Sequence, residues 1–217
     1  MKVFLDFGRH FIDIETCDMR GDGRTPLLQF CAGFGNGYHK DGIAFLLQRG
    51  ANVYAVDSYG NSCLHLALHG ARGPFRFDKE FEALVLLVKA GANVHAKNHL
   101  GHSLSELAYL RPSVHHDGDF GSYWGDFWDS ILAACGYQVS DFRQQHPRTG
   151  RYTKDYPRKI FEKLWEGRQH LCPYWDEDEA AYQMEICSEE SSSSASNPCE
   201  EDEGTDFELD DSGSESE

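Results

Sequence analysis

The chain reads as all-α, a short solenoid of stacked antiparallel helix pairs, and three observations predict that fold. The segment Gly50-Ala51-Asn52-Val53-Tyr54-Ala55-Val56-Asp57 returns 41 residues later as Gly91-Ala92-Asn93-Val94-His95-Ala96-Lys97-Asn98. Each copy follows an apolar run of helical character, IAFLLQR at 43–49 and FEALVLLVKA at 81–90. Each is followed by Gly-x-Ser, at Gly60-Asn61-Ser62 and Gly101-His102-Ser103, and Gly23-Arg24-Thr25-Pro26-Leu27 fits the same slot earlier in the chain.

Local chemistry supports each element of that repeat. Thr25, Ser62 and Ser103 are natural N-caps, and Pro26 suits the first helical position, where its missing N–H costs nothing. Gly50 and Gly91 end their helices in the left-handed conformation. Gly60 and Gly101 suit the positive φ of a tight turn.

These residues resemble the ankyrin repeat, whose pattern is D-x-x-G-x-T-P-L-H-x-A, a first helix, then a second helix ending in LL-x-x-G-A-x-V-x-A. Asp57-Ser58-Tyr59-Gly60-Asn61-Ser62-Cys63-Leu64-His65-Leu66-Ala67 matches most of it, with Ser for Thr and Cys for Pro. The resemblance spans about residues 22–111 and implies about three repeats. The turn glycines 23, 60 and 101 are 37 and 41 residues apart, against a family period of about 33. The excess falls between paired helices, at GFGNGYH (33–39) and GARGPFRFD (70–78), where Gly and Pro mark loops. The third repeat carries Ser105 and Glu106 where Leu and His are expected, and reads as degenerate.

The flanks differ. Residues 1–21 read as a partial or divergent repeat: Phe4-Leu5-Asp6-Phe7-Gly8 looks like the end of a second helix without its first. An open solenoid end exposes apolar surface, so either Phe4, Phe7 and Phe11 pack in an improvised way or the array is longer. Residues 112–175 read as an aromatic helical extension. After a His/Asp/Gly loop at 113–121, apolar residues at 124, 127, 128, 131 and 132 predict an amphipathic helix capped by Gly136. A polar loop leads to a further helix with Ile160, Phe161, Leu164 and Trp165 on one face, expected to cover the open side of the stack. The ending LWEGRQHLCPYW (164–175) is similar to uncharacterised fungal ankyrin-repeat proteins.

Charge separates one more segment. The 217 residues carry a net charge of −16, yet 17 of the 36 acids lie from Asp176 onward, with no Lys or Arg among them. The first 175 residues hold the other 19 acids against all 20 bases, so the repeat region is near neutral. Residues 176–217 are expected to form an acidic, largely disordered tail, because Phe207 and Leu209 bury too little to offset ordering entropy. A helical continuation through 177–187 is compatible with DEDEAAYQMEIC. The tail suits a solubilising role or an arm for a basic protein partner, and its sign argues against direct contact with nucleic acid. Thr205, Ser212 and Ser214 each have an acid three residues on, the pattern acidophilic kinases favour.

The classes this chain excludes are as informative. No stretch of about 18 apolar residues is present to cross a membrane, and MKVFLDFGRHFIDIE has no secretory-signal pattern. Seven cysteines, none in a CxxC pair, suit buried thiols in a reducing compartment, cytoplasmic or nuclear. Cys31 and Cys63 lack an identifiable His and acid partner, so they read as packed thiols. His65 and His69 have the i, i+4 spacing of a zinc pair, but the Glu of HExxH is missing; His65 falls on the repeat's structural histidine. His115-His116-Asp117-Gly118-Asp119 reads as a solvated linker, and Gly33-Phe34-Gly35-Asn36-Gly37 as a helix connector without the strand a phosphate loop needs. No catalytic residue, cofactor or metal is expected.

The resemblance implies a non-enzymatic adaptor that binds a protein partner through its finger turns and the concave face of its first helices. The family's contact positions fall on Asp22 and Arg24 in the first repeat. In the second they fall on Val56, Ser58, Tyr59, Asn61 and His69, and in the third on Lys97, His99, Leu100, His102 and Arg111. An alternative expectation is the substrate-recognition subunit of a ubiquitin ligase whose F-box lies upstream or is missing.

Overall fold

The structure is a computed structural model that describes residues 21–33, 39–74, 77–111, 114–115, 118–148 and 152–176. The expectations for Phe4, Phe7 and Phe11, for most of the 33–39 connector, and for the chain after Asp176 lie outside these residues.

Among the described residues, three helix pairs stack in two ranks. The first helices are α1 (Pro26–Ala32), α3 (Cys63–Gly70) and α5 (Leu104–Tyr109). The second helices are α2 (His39–Gln48), α4 (Phe77–Lys89) and α6 (Tyr123–Ala134). Within each rank neighbours pack along the stack, α1 on α3 on α5 and α2 on α4 on α6, and each first helix packs on its own second helix. Leu27, Leu28, Ile43, Leu64, Leu84, Leu87 and Leu104 are buried between the ranks.

The N-caps form as the residue types require. Thr25 Oγ1 accepts from Leu28 N, with Pro26 opening α1. Ser62 and Ser103 each make a reciprocal capping box with the residue three positions on. In α3 that residue is His65, whose Nδ1 lies 3.3 Å from Ser62 N. In α5 it is Glu106, whose Oε2 accepts from Ser103 N at 2.6 Å. The third repeat is therefore divergent in letters but keeps the geometry, a carboxylate doing what an imidazole does one repeat earlier. Ser105, its other departure, accepts a hydrogen bond from the indole Nε1 of Trp128 on α6.

The C-terminal ends of the second helices share one pattern. Gly50 N donates to Leu47 O and Ala51 N to Leu46 O. Gly91 and Ala92 repeat this pair of bonds onto Val88 and Leu87, and Gly136 and Tyr137 repeat it onto Ala133 and Leu132, the Schellman pattern each time. The aromatic helix α6 thus stands where α2 and α4 stand, as the second helix of the third pair. The intervening loop is a third insertion at the same place as the other two. It holds a short antiparallel ladder, β1 (Val114–His115) with β2 (Gly118–Asp119), where the sequence reads as plain loop.

The expectation of an amphipathic α6 is also corrected. Every residue from Tyr123 to Ala133 is buried, Asp126, Asp129 and Ser130 included. Ionised carboxylates are buried only when paired, and the segment after α6 supplies both arginine partners. That segment comprises α7 (Val139–Arg143), α8 (Arg158–Leu164) and a 3₁₀ turn at Gln169–Leu171. Arg148 forks onto Asp126 through Nε at 2.8 Å and Nη2 at 2.9 Å, and Tyr156 and Ser122 hydroxyls also donate to it. Arg143 Nε donates to Asp129 at 2.7 Å, beside the hydroxyls of Tyr109 and Tyr174. Burial pushes the Asp129 carboxyl up to about 6 against the opposing pull of Arg143 and the two hydroxyls, so it is still ionised at neutral pH. Around this network Phe161, Trp165 and Tyr174 are buried and meet one another edge-on or tilted, and the buried Tyr156 ring meets Tyr123 edge-on.

Two measurements check this account. Asp126→Ala strands the Arg148 guanidinium in a buried site and should cost about 3–5 kcal/mol in chemical denaturation. Lys40→Ala, which breaks an exposed pair with Glu82, should cost under about 1 kcal/mol. The second concerns pH. Burial lowers the His65 imidazole below its ordinary 6.5, so the unfolded chain takes up this proton more readily. Stability from this group is present above pH 6.5 and is lost as pH falls below it. His65→Gln should flatten the fall in unfolding free energy on acidification.

Candidate functional site

The finger turns are built from the backbone outward. Asp57 Oδ1 accepts from the amides of Tyr59 and Asn61, and Asn98 Oδ1 accepts from those of Leu100 and His102, an Asx-type brace in each finger. Gly60 has φ 75°, and a Cβ there would stand 2.5 Å from the His99 ring, so glycine is required both by the turn and by the next finger.

Neighbouring fingers are tied to each other. Ser58 N donates to Asp22 O at 2.8 Å and His99 N to Tyr59 O at 3.0 Å. Asn98 Nδ2 donates to Asn61 Oδ1 at 3.1 Å, and the His65 Nε2 lies 3.2 Å from His102 O. With Nδ1 facing Ser62 N and Nε2 the third finger's carbonyl, His65 is committed to the neutral form in which Nε2 donates. It leaves no nitrogen for a metal.

The sequence-derived contact residues divide into two groups. Val56, Ser58, Tyr59, His69, Lys97, His99, Leu100 and His102 are exposed. Tyr59 and Leu100 precede the turn glycine on adjacent fingers and are 60% and 78% exposed. The others are turned inward to differing degrees. Arg24 Nε lies 3.6 Å from the buried Asp57, with Asp22 3.4 Å from the same guanidinium. Asn61 joins two fingers, as above. Arg111 donates to the carbonyls of Leu68 and Ala71 and stacks 3.7 Å over Trp124; burial lowers its guanidinium to about 10. It braces the stack more than it offers itself to solvent.

Beside the fingers, an apolar groove of about 400 Å³ opens at the ends of α3 and α5. Leu68, Leu107, Ala108, Leu110 and Trp124 line it, with His69, His102, Glu106 and Arg111. The structure thus brings His69, His102 and Arg111 together and leaves the remaining predicted contacts outside this groove. Leu110, 65% exposed, and Trp124 are groove residues that sequence reasoning missed. The signal was a leucine beside Arg111-Pro112 at the end of a first helix; its groove partner Trp124 is 14 residues on, beyond an insertion. Tyr54, 69% exposed, was missed as well. A second recess of about 680 Å³ includes Arg143 and Arg148 in its wall, but these cations already face Asp126 and Asp129.

The buried cysteines are poorly suited to nucleophilic chemistry. Burial pushes the Cys63 and Cys172 thiols up to about 12 and the Cys31 thiol well above its ordinary value, so none is a thiolate at neutral pH. Among the described residues no group of three or more His, Cys, Asp or Glu side chains is arranged to hold a metal ion. No helix there is long and apolar enough to cross a membrane.

The family comparison agrees with the repeat pattern. The ankyrin-repeat family model matches residues 22–58 and 59–99. No curated protein matches the chain. Among solved structures it is similar to the ankyrin repeat domain of Bcl-3, described as a unique member of the IkappaB protein family, at 27% identity with a TM-score of 0.36. That match covers 48% of this chain and 39% of the other, so it spans well under half of that domain. The family match identifies residues 22–99 as ankyrin repeats, in keeping with the recurrent pattern, the paired helices and the braced fingers.

Proposed function

We propose that this chain is a non-enzymatic adaptor that binds a protein partner through its fingers and the exposed face of its first helices. One observation carries the reading. Two large apolar side chains, Tyr59 and Leu100, stand exposed at matching places on adjacent fingers, and the backbone bond from His99 N to Tyr59 O holds those fingers together. Exposed aromatic and aliphatic anchors on a rigid support lose little entropy when covered, which is what an interface hot spot requires. The fold itself does not demand them there, since solvated turns are built from polar residues. Residues 176–217, with 17 acids and no Lys or Arg, supply a second, electrostatic arm suited to a basic surface on the same or another protein.

The test is affinity capture with the intact chain and with Tyr59→Ala, His99→Ala and Leu100→Ala combined. The triple variant should retain its stability to within about 1 kcal/mol, because the side chains are exposed. It should lose at least about tenfold of whatever the intact chain captures specifically. Captured partners that are all indifferent to the three substitutions would place the binding face elsewhere. Arg111→Ala should behave oppositely on stability, costing about 1–3 kcal/mol through two lost carbonyl bonds and the stacked indole.

A further inference from the structure

The groove between α3 and α5 has a chemistry that the finger tips lack. Its walls are apolar, from Leu68, Leu107, Leu110 and Trp124. Its one carboxylate is engaged internally. Glu106 accepts from Ser103 N at 2.6 Å, and the Ser103 amide and hydroxyl hold it below the usual carboxylate range, with Lys97 and His102 adding to the effect. Lys97 pairs with Ser103 in an antiparallel bridge, beside the residue that Glu106 caps, and His102 and His69 line the groove; all three are exposed. The local balance is therefore an apolar floor with Lys97, His69, His102 and Arg111 set about a single carboxylate, Glu106. At about 400 Å³ the groove lies toward the small end of the roughly 300–1,000 Å³ typical of ligand sites. That is room for one bulky anchor and the stems beside it.

We infer that this groove takes a bulky apolar side chain of an acidic peptide segment, whose neighbouring carboxylates face Lys97, His69 and His102. The inference rests on the reading of this face as a protein-binding surface and adds the chemistry of the partner. The anchor seats against Leu107, Leu110 and Trp124, and the carboxylates set register and orientation at the rim.

The experiment is a displayed library of short random peptides panned against the full chain at moderate salt. The enriched sequences should share one Leu, Ile, Phe or Trp flanked by Asp or Glu. The net charge of −16 works against this outcome, since bulk electrostatics alone select basic peptides. Leu110 is 65% exposed, so Leu110→Glu should leave the thermal melt in place and lower affinity for an enriched peptide at least about tenfold. Lys97→Glu should lower it about threefold, in a salt-dependent way. Enrichment of basic or uncharged sequences, of acidic ones without an apolar anchor, or of none overturns the inference, as does indifference to Leu110→Glu. Peptides sensitive to Tyr59→Ala but not to Leu110→Glu would remove the groove from the account while leaving finger-mediated protein binding intact.

Discussion

Two carboxylates with no access to water, Asp126 and Asp129, hold the far end of this molecule together. Each would be expensive to bury alone, and each is matched by an arginine and by tyrosine hydroxyls drawn from separate parts of the chain. Tyr109 reaches Asp129 from the end of α5, which fixes α5 against α6. That contact sets the position of Leu107, Leu110 and Arg111 relative to Trp124, and so defines the groove. The proposed binding face therefore depends on a network that lies behind it. Such an arrangement is demanding in geometry and modest in net stabilisation, because Coulomb attraction mostly offsets desolvation. Its consequence is a single way of closing the third helix pair.

The fingers rely on a different device. The second and third are each braced from within by one Asp or Asn side chain and from without by a backbone bond to a neighbour. His65 links the two systems, capping its own helix and meeting the carbonyl of His102 on the next finger. With the load carried by backbone and by short polar side chains, Tyr59, Leu100 and Lys97 are left without a structural task. Rigid support and idle, exposed side chains are the combination that makes a surface available for recognition.

Much of this was legible in one dimension because a repeat signals itself through local rules. Capping serines, left-handed glycines and helical apolar spacing each act over a few residues, and they recur at Gly60 and Gly101 in the same order. The third pair was harder to read. Its first helix carries Ser105 and Glu106 in place of the usual residues, and its second helix lies beyond an insertion, so the period is stretched and the letters differ. The compensation is visible only in space: Glu106 caps Ser103, and Ser105 receives the indole of Trp128. Among the positions that the resemblance implies for contact, Tyr59, His99 and Leu100 on the fingers are exposed. Arg24, Asn61 and Arg111 could not be distinguished from them, since nothing local reveals that a polar side chain has been claimed by a distant group.

The sequence by itself determined the repeat, its caps, its turns and the segregation of charge into the last 42 residues. These follow from backbone preference and apolar periodicity, which act between near neighbours. Tertiary structure alone decided that α6 completes the third pair, that Asp126 and Asp129 are buried, and that Leu110 and Trp124 share a groove. Each of those outcomes depends on which groups meet across dozens of residues, and the cost of burying a charge or the shape of a recess is defined only once the facing surfaces are in place.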